Sequence, residues 1–319
     1  MNETLLDVKN LTVTFNMLRG RQYINIHAVR NISFSLNKGE ILGIVGESGS
    51  GKSVSTLAIP GLLGSNVVVT GQAFYSGKDL LAVPKKELKY YRGRKIGMIF
   101  QEPGRSFDPL QNIGSVFIET FRVIDPAIKK EDAIEKAINL LEETGLTNAK
   151  ERLSNYPHQF SGGQLQRIGI ALALAQDCEL LVADEPTTAL DVTIQAQIVS
   201  LLLELRKRRN ISIIFISHNI DLAAHLSDRM LVMYGGMIME SGTTTQITQN
   251  PIHPYTKALL AAAPSFGTHY STSRLVSIPG KVTDPSQLTV GCPFAPRCSQ
   301  TSNQCRTEDF RGIKCYERT

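Results

Sequence analysis

Eight consecutive residues have the types and spacing of a phosphate-binding loop, G-x-x-x-x-G-K-S. Glycine backbone approaches phosphate oxygens without a Cβ clash, so that successive N–H groups close around the anion. The lysine of such a loop bridges the β- and γ-phosphates of a nucleotide, and the hydroxyl that follows it binds Mg²⁺. The residues expected to contact nucleotide or Mg²⁺ are Gly46, Ser48, Gly49, Ser50, Gly51, Lys52 and Ser53.

Two carboxylates follow the apolar run at residues 180–183. Asp184, at the end of a predicted buried strand, has the chemistry of the Mg²⁺-side carboxylate of phosphate-loop enzymes. Glu185 is then suited to accept a proton from an attacking water or to orient that water. A surface acidic pair is the simpler alternative, but such pairs seldom follow four apolar residues. The sequence therefore predicts a site competent for hydrolysis.

Buried strands and amphipathic helices alternate along the chain, which favours an α/β fold. A strand at residues 41–45 leads into the glycine loop, and a helix from residue 52 to about 63 follows it. Further strands are predicted at residues 96–100 and 211–216, and further helices at residues 131–144 and 194–205. The glycine loop therefore joins a buried strand to a helix.

The predicted organisation is a mixed-sheet core that includes an antiparallel N-terminal subdomain, with two additions, an inserted helical subdomain and a C-terminal extension. Residues 8–15 and 29–36 alternate apolar and polar side chains, as in an antiparallel N-terminal subdomain. The largely helical stretch at about residues 102–175 is expected to be an inserted subdomain. We predict a nucleotide-binding domain over residues 1–250 and a cysteine-containing C-terminal extension over residues 251–319, with one short helix at residues 254–263.

Composition argues against several classes of protein. The net charge of +5 over 319 residues is mild, and no basic stripe with aromatic side chains indicates nucleic-acid binding. The densest cationic run, at residues 206–209, is expected to complement the dipole of a helix end. No apolar run approaches the roughly 18 residues of a membrane span, and no secretory signal is visible. We therefore expect a soluble, cytoplasmic chain whose partners supply any membrane part.

The order of the motifs resembles that of the ATP-binding cassette (ABC) family over about the first 250 residues. Between the glycine loop and the acidic pair lies Phe160-Ser161-Gly162-Gly163-Gln164, which matches the family signature with Phe where Leu is more common. The resemblance implies an ABC ATPase fold that binds ATP and Mg²⁺. It also implies that Gln101 contacts Mg²⁺ and the attacking water, that His218 contacts the γ-phosphate, and that Asp191 belongs to the D-loop at residues 189–191.

The aromatic residue that stacks on adenine is less clearly marked. Phe15 is selected by its distance from the glycine loop, and Tyr23 is a second candidate. A core phenylalanine with no ligand contact is the alternative for Phe15.

The signature also implies an assembly of two ATPase domains. Ser161, Gly162, Gly163 and Gln164 lie at the start of a predicted helix at residues 164–175, whose N-terminus offers N–H groups to an anion. In the family this helix end closes on the ATP held by the opposite subunit, so two ATPs are buried between head-to-tail domains. Nucleotide binding is thereby coupled to motion elsewhere.

Four of the five cysteines lie in the C-terminal extension with the spacing C-x5-C-x6-C-x9-C, at Cys292, Cys298, Cys305 and Cys315. The tight C-x2–4-C pairs usual for structural zinc are missing, and disulfides are disfavoured in a cytosolic chain. Four thiolates also suit an iron–sulfur cluster, so a cluster, zinc and free thiols all remain open. Cys178 lies apart and is expected to be a small buried apolar side chain.

Residues 251–260 and 291–298 resemble the tail of the ATP-binding subunits of oligopeptide/dipeptide permeases, of the peptide/nickel type, some of which carry a [4Fe–4S] cluster. This resemblance implies the ATPase of a peptide importer, peripheral on the cytoplasmic face of the cell membrane. The implied partners are a second ABC ATPase subunit, identical or homologous, two transmembrane permease subunits and, indirectly, an extracytoplasmic substrate-binding protein.

Two alternatives belong to other functional classes. A soluble ABC ATPase of DNA repair would carry a long coiled-coil insertion, and one of translation usually carries two cassettes; the sequence has neither feature. A non-catalytic ATP-binding module is opposed by the presence of Glu185 and His218.

Overall fold

The computed structural model describes residues 3–20, 22–188, 190–263, 277–287, 290–307 and 315. The chain divides into two compact units, one formed by Met1–Pro84 with Phe215–Thr319 and the other by Lys85–Ile214. In chain order the elements are β1 (Thr4–Arg19), β2 (Gln22–Asn37), β3 (Ile41–Val45), α1 (Lys52–Ala58), β4 (Val67–Tyr75), β5 (Lys78–Asp79), α2 (Lys85–Tyr91), β6 (Ile96–Ile99), α3 (Pro103–Ser106), α4 (Ile113–Ile124), α5 (Lys130–Glu143), α6 (Ala149–Arg152), α7 (Gly162–Leu174), β7 (Leu180–Asp184), α8 (Val192–Arg209), β8 (Ser212–Ser217), α9 (Ile220–Leu226), β9 (Arg229–Tyr234), β10 (Met237–Thr243), α10 (Thr244–Gln249) and α11 (Pro254–Ala262). Short 3-10 turns lie at Pro157–Gln159, Ala295–Arg297 and Gln304–Arg306.

An antiparallel sheet with the strand order β2-β1-β4-β5 lies within the first unit. Its long strands bury every second or third side chain, including Val8, Leu11 and Val13 on β1 and Val29 on β2. The alternation is interrupted by register shifts between Val8 and Val13. The predicted antiparallel pairing is confirmed, although β1 and β2 are longer than the two segments that showed the alternation.

The strand β3 also lies in the first unit, where all five of its residues are buried. It pairs in parallel with β9, and β9 pairs antiparallel with β10. A strand that is covered on both faces reads as a continuous apolar run, which is the pattern that predicted it. Because β3 ends at Val45, the glycine loop begins at the carboxyl end of a buried parallel strand, where ligands of α/β proteins commonly bind.

The helix α1 is shorter than predicted, since it ends at Ala58 rather than near residue 63. Pro60 has no backbone N–H, so it cannot donate the hydrogen bond that would continue the helix. Gly61 then adopts a φ of 66° and donates to the carbonyl of Ala58, while Leu62 donates to that of Leu57. This is the Schellman arrangement that commonly ends helices.

The second unit holds the predicted helical stretch and the acidic strand. The helices α3 to α7 occupy most of residues 102–175, and β6 and β7 pair in parallel. The helix α5 agrees with its prediction and stops where Gly145 takes a φ of 78°. The cationic run ends α8 as expected, and Arg209 forms ion pairs with Glu143 and Asp177. The division at residues 250 and 251 stays a prediction.

Across the described ranges of the chain, no helix combines the length and the apolar character that crossing a bilayer requires.

Candidate functional site

The glycine loop between β3 and α1 is fixed by close approaches of its backbone to neighbouring segments. A Cβ on Gly46, which has a φ of 153°, would lie 2.1 Å from the carbonyl oxygen of Met233. A Cβ on Gly51, which has a φ of 99°, would lie 2.4 Å from the carbonyl oxygen of Ala28. Glycine is therefore required at both positions, because any side chain would collide with backbone that cannot move independently.

A buried cation stands inside this loop. The side chain of Lys52 is 4% exposed, and its Nζ donates to the carbonyl oxygens of Gly46 (2.8 Å) and Glu47 (3.0 Å). The hydroxyl of Ser50 is buried without a hydrogen-bond partner among the described residues. Ser53 is half-buried in the first turn of α1. An ammonium, a hydroxyl and the N-terminal turn of a helix are groups that suit phosphate oxygens.

The loop also receives contacts that the sequence did not predict, from the C-terminal extension. The N–H of Glu47 donates to the hydroxyl of Tyr255 at 2.9 Å, and the carboxylate of Glu47 pairs with both terminal nitrogens of Arg297, at 2.6 Å and 3.1 Å. Tyr255 lies on α11, and its ring packs against the ring of Tyr234 at the end of β9, with centroids 4.7 Å apart. No local pattern marks these residues, because they are distant in sequence from the loop.

Within the second unit, the acidic pair ends β7. Asp184 is 6% exposed, and Glu185 is half-buried with a φ of 46°. The Oε2 of Glu185 accepts hydrogen bonds from Gln101 Nε2 and from Thr188 Oγ1, both at 2.9 Å. A non-glycine residue in this left-handed region costs about 1–3 kcal/mol, and such strain is concentrated at functional sites. The structure brings two predicted residues, Gln101 and Glu185, together, and it adds Thr188, which no motif had marked.

The family signature caps a helix in the same unit. Ser161 is the N-cap of α7, where its hydroxyl accepts from the N–H of Gln164 (3.3 Å) and its own N–H donates to Gln164 Oε1 (3.0 Å). The helix therefore begins at Gly162 rather than at residue 164, because this capping box satisfies the N–H groups of Ser161 and Gln164. A Cβ on Gly163 would lie 2.9 Å from Ile194 Cγ2. Gly163 thus lets the start of α7 approach Ile194 in the first turn of α8.

The remaining residues that were predicted to contact ligand lie on different elements of the fold. Asp191 is the N-cap of α8 and accepts from the N–H of Ile194 at 2.9 Å, while Ala189 of the predicted D-loop lies outside the described residues. His218 follows β8 and is exposed. Phe15 is half-buried on β1 between Ile26 and Val67 of the adjoining strands, and Tyr23 is 79% exposed. The ligand contacts of these residues stay predictions.

The four cysteines of the extension line a single cavity of about 410 Å³, together with His253. Cys292 and Cys305 are buried, and the N–H of Cys292 donates to the carbonyl of Cys305 at 2.8 Å. In the parts of the chain that the structure describes, no three His, Cys, Asp or Glu side chains form a group that could hold a metal ion. The arrangement does not fit a single zinc ion, whose four ligands converge within about 2.3 Å of one point.

The environments of these thiols differ. Burial, with a contribution from the other three cysteines, raises the pKa of Cys315 to about 11. Burial raises the pKa of Cys305, but hydrogen bonds from Ser302, from Thr301 and from its own backbone together outweigh burial, so the pKa is lowered. The other three cysteines contribute to the raised pKa of Cys315 because the four thiols are near neighbours. Cys178 is 3% exposed, and burial raises its pKa to about 11, so its predicted role as a small apolar side chain is confirmed.

Comparisons with known proteins agree with the motif order. The family described as ABC transporter matches residues 29–188, and the oligopeptide/dipeptide transporter C-terminal region matches residues 239–305. The oligopeptide transport ATP-binding protein OppD of Haemophilus influenzae is 44% identical over 95% of this chain and 91% of its own. The dipeptide transport ATP-binding protein DppD of Lactococcus lactis is 45% identical over 92% of this chain and 83% of its own.

A solved structure with a similar fold is a dimeric ATP-binding cassette in a post-hydrolysis state, bound to ADP and phosphate. It superposes with a TM-score of 0.65 at 28% identity and covers 75% of this chain and 98% of its own. The named relatives are transport proteins, so they support the transport interpretation and give no support to DNA repair or translation. Because both the family match and these relatives extend over half of the chain or more, the chain belongs to the ABC transporter family and is an ATP-hydrolysing transport ATPase.

Proposed function

We propose that this chain is the ATPase subunit of an importer of oligopeptides or dipeptides. Support comes from relatives more than 40% identical that are named for oligopeptide or dipeptide transport. It comes also from the C-terminal region at residues 239–305, which matches a family described by the same cargo. This C-terminal match is the observation that carries the proposal, since the cassette alone is common to ABC proteins of many functions.

The roles proposed within the ATPase follow from the chemistry of each group. Lys52 and the backbone N–H groups of residues 46–51 bind the phosphates of ATP. Ser53 and Asp184 hold Mg²⁺, for which hydroxyl and carboxylate oxygens are suitable ligands, and the bound ion neutralises charge on the phosphate oxygens. The contacts of Phe15 with adenine and of His218 with the γ-phosphate are proposed on the family resemblance alone.

Glu185 is proposed as the group that orients the attacking water and accepts its proton. Its carboxylate is held in one orientation by the donors on Gln101 and Thr188, both at 2.9 Å. A fixed carboxylate needs no reorganisation when the water attacks, which lowers the barrier. Gln101 is thus proposed to act both on this carboxylate and on the water.

We propose further that two ATPase chains close head to tail on two ATPs, the second chain being identical or homologous. The N-terminus of α7, at Ser161, Gly162, Gly163 and Gln164, offers a positive dipole end to the nucleotide held by the other chain, together with the N–H groups of Gly162 and Gly163, which the capping box does not use. Asp191, which caps α8, is proposed to line the same interface. Two transmembrane permease subunits would take up the resulting motion, with this chain peripheral on the cytoplasmic face of the membrane and a substrate-binding protein on the other side.

The cysteine cavity is proposed to hold a [4Fe–4S] cluster. The four thiols that line this cavity of about 410 Å³ are the type of ligand that holds such a cluster. Hydrogen bonds to the sulfurs, from Gln300 N–H to Cys298 and from Ser302 to Cys305, are of the kind that stabilise cluster thiolates. Anaerobically purified protein should be brown with about four irons per chain. Colourless, iron-free and fully folded protein would contradict this assignment.

Uptake of a labelled tripeptide by cells that lack this chain tests the transport proposal. The wild-type chain should restore uptake, and Glu185→Gln should not, although both are made at equal levels. Excess unlabelled dipeptides and tripeptides should compete, whereas sugars should not. Unchanged peptide uptake in cells without the chain would contradict the proposed cargo. It would not affect the assignment of the chain as an ATPase.

A further inference from the structure

The C-terminal extension contributes a buried arginine to the phosphate loop. Arg297 lies between Cys292 and Cys298, and its side chain is 4% exposed. All five N–H donors of its guanidinium form hydrogen bonds. Two go to the carboxylate of Glu47, and the others go to the carbonyls of Ile278 and Pro279 and to the hydroxyl of Tyr234.

Aromatic rings complete the surroundings of this guanidinium. Its Cζ lies 5.6 Å from the ring centroid of Tyr234 and 5.9 Å from that of Phe294. A two-point carboxylate contact together with stacking on rings is a geometry that arginine supports and lysine does not. The position of Arg297 is therefore fixed jointly by the extension, by Tyr234 of β9 and by Glu47 of the loop.

Its partner Glu47 is part of the phosphate loop itself. The carbonyl of Glu47 accepts from Lys52 Nζ at 3.0 Å, and its N–H donates to Tyr255 at 2.9 Å. The side chain of Glu47 is only 26% exposed. An unpaired carboxylate at this position would repel a triphosphate, and it would be poorly screened because it is mostly buried.

We propose that Arg297 is a positioning residue for ATP. It neutralises Glu47 and holds that carboxylate on the side of the extension, so that the loop presents Lys52 and its N–H groups to the phosphates without a competing negative charge. The affinity of the loop for ATP then depends on a residue that lies outside the cassette motifs. This inference depends on the proposed binding of ATP phosphates by the loop.

The test compares full-length Arg297→Met with wild-type protein by steady-state ATP hydrolysis, with the melting temperature measured in parallel. The methionine keeps an apolar stem against the two rings and removes the charge. We expect the KM for ATP to rise about tenfold while kcat stays within about twofold, because the reacting groups are unchanged. Arg306→Met, an exposed arginine of the same extension, is the matched control and should leave both constants unchanged.

The double variant Glu47→Gln with Arg297→Met separates a positioning role from a purely structural one. Removing the carboxylate that Arg297→Met leaves unpaired should return the KM to within about threefold of wild type. A structural link would instead leave the double variant as impaired as Arg297→Met. If Arg297→Met does not fold, Arg297→Lys, which keeps the charge but loses the two-point contact, should raise the KM about threefold.

Two results overturn the inference: a KM in the folded variant, Arg297→Met or Arg297→Lys, within about 1.5-fold of wild type, or no recovery in the double variant. A failure of the proposed phosphate binding gives a different result. In that case Lys52→Ala would bind ATP as tightly as wild-type protein does.

Discussion

Replacing Glu185 by glutamine separates its catalytic role from its structural one. The substitution keeps the shape of the side chain, and the new amide oxygen can accept from Gln101 and Thr188 as Oε2 of the carboxylate does, both at 2.9 Å. Two hydrogen bonds to a charged acceptor become two neutral ones, so we expect the free energy of unfolding to change by no more than about 1–2 kcal/mol. The φ of 46° at this position is unaffected.

The effect of Glu185→Gln on catalysis should be larger. An amide cannot accept a proton, and general-base catalysis contributes about 10²–10⁴-fold, which corresponds to about 3–5 kcal/mol in the barrier. We therefore expect kcat for ATP hydrolysis to fall by at least 100-fold while bound ATP is retained. Phosphate release measures kcat, and urea unfolding measures the free energy of unfolding.

The matched control is Glu204→Gln, which removes an exposed carboxylate on α8 and should leave kcat unchanged. A Glu185→Gln protein with kcat within fivefold of wild type would refute the assignment. A large loss of stability would refute the claim that its hydrogen bonds survive the substitution.

Two further predictions concern the lysine of the phosphate loop and the ion pair between Arg209 and Glu143. Lys52→Ala should weaken ATP binding about 100-fold, because it removes a charge-assisted contact to phosphate; titration with a fluorescent ATP analogue measures this, and the exposed Lys38→Ala is its control. Unchanged affinity in Lys52→Ala would contradict the phosphate-loop assignment. The hydrogen bond from Arg209 holds the pKa of Glu143 below its usual 4.5, so the stabilisation by this carboxylate is present above about pH 4.5 and is lost as the pH falls through the lower folded-state pKa. Glu143→Gln should accordingly lower the free energy of unfolding by about 1 kcal/mol at pH 7 and by progressively less in acid, as measured by urea unfolding at each pH. The control Glu142→Gln, at an exposed position, should change the free energy of unfolding little at any pH. A loss in Glu143→Gln that does not change with pH would contradict the charge pairing.

Local signals predicted the parts of the site that depend on neighbouring residues. The apolar run of β3 is continuous because the strand is buried on both faces. Gly46 and Gly51 are glycines because other backbone approaches them closely. The start of α7 was predicted two residues late, although the Ser161–Gln164 capping box was visible as a Ser-x-x-Gln pattern. The end of α1 was likewise marked by Pro60 and Gly61.

Contacts between distant parts of the chain could not be predicted in this way. Arg297 and Glu47 are 250 positions apart, and nothing near either residue indicates the other. Thr188 follows Glu185 by three positions, but its role depends on the left-handed turn at Glu185, which no residue type announces. For the four cysteines the spacing left several cofactors open, and their arrangement around one cavity became apparent only in the fold.

The measurement that tests the central claim most directly is ATP turnover per chain as a function of protein concentration, with the association state followed by light scattering. If Lys52 of one chain and Ser161 of another complete each ATP site, turnover per chain should fall to background where the isolated chain is monomeric. Ser161→Arg should then show little turnover at any concentration. A monomer that hydrolyses ATP at the full rate, independent of concentration and of Ser161, would contradict the account.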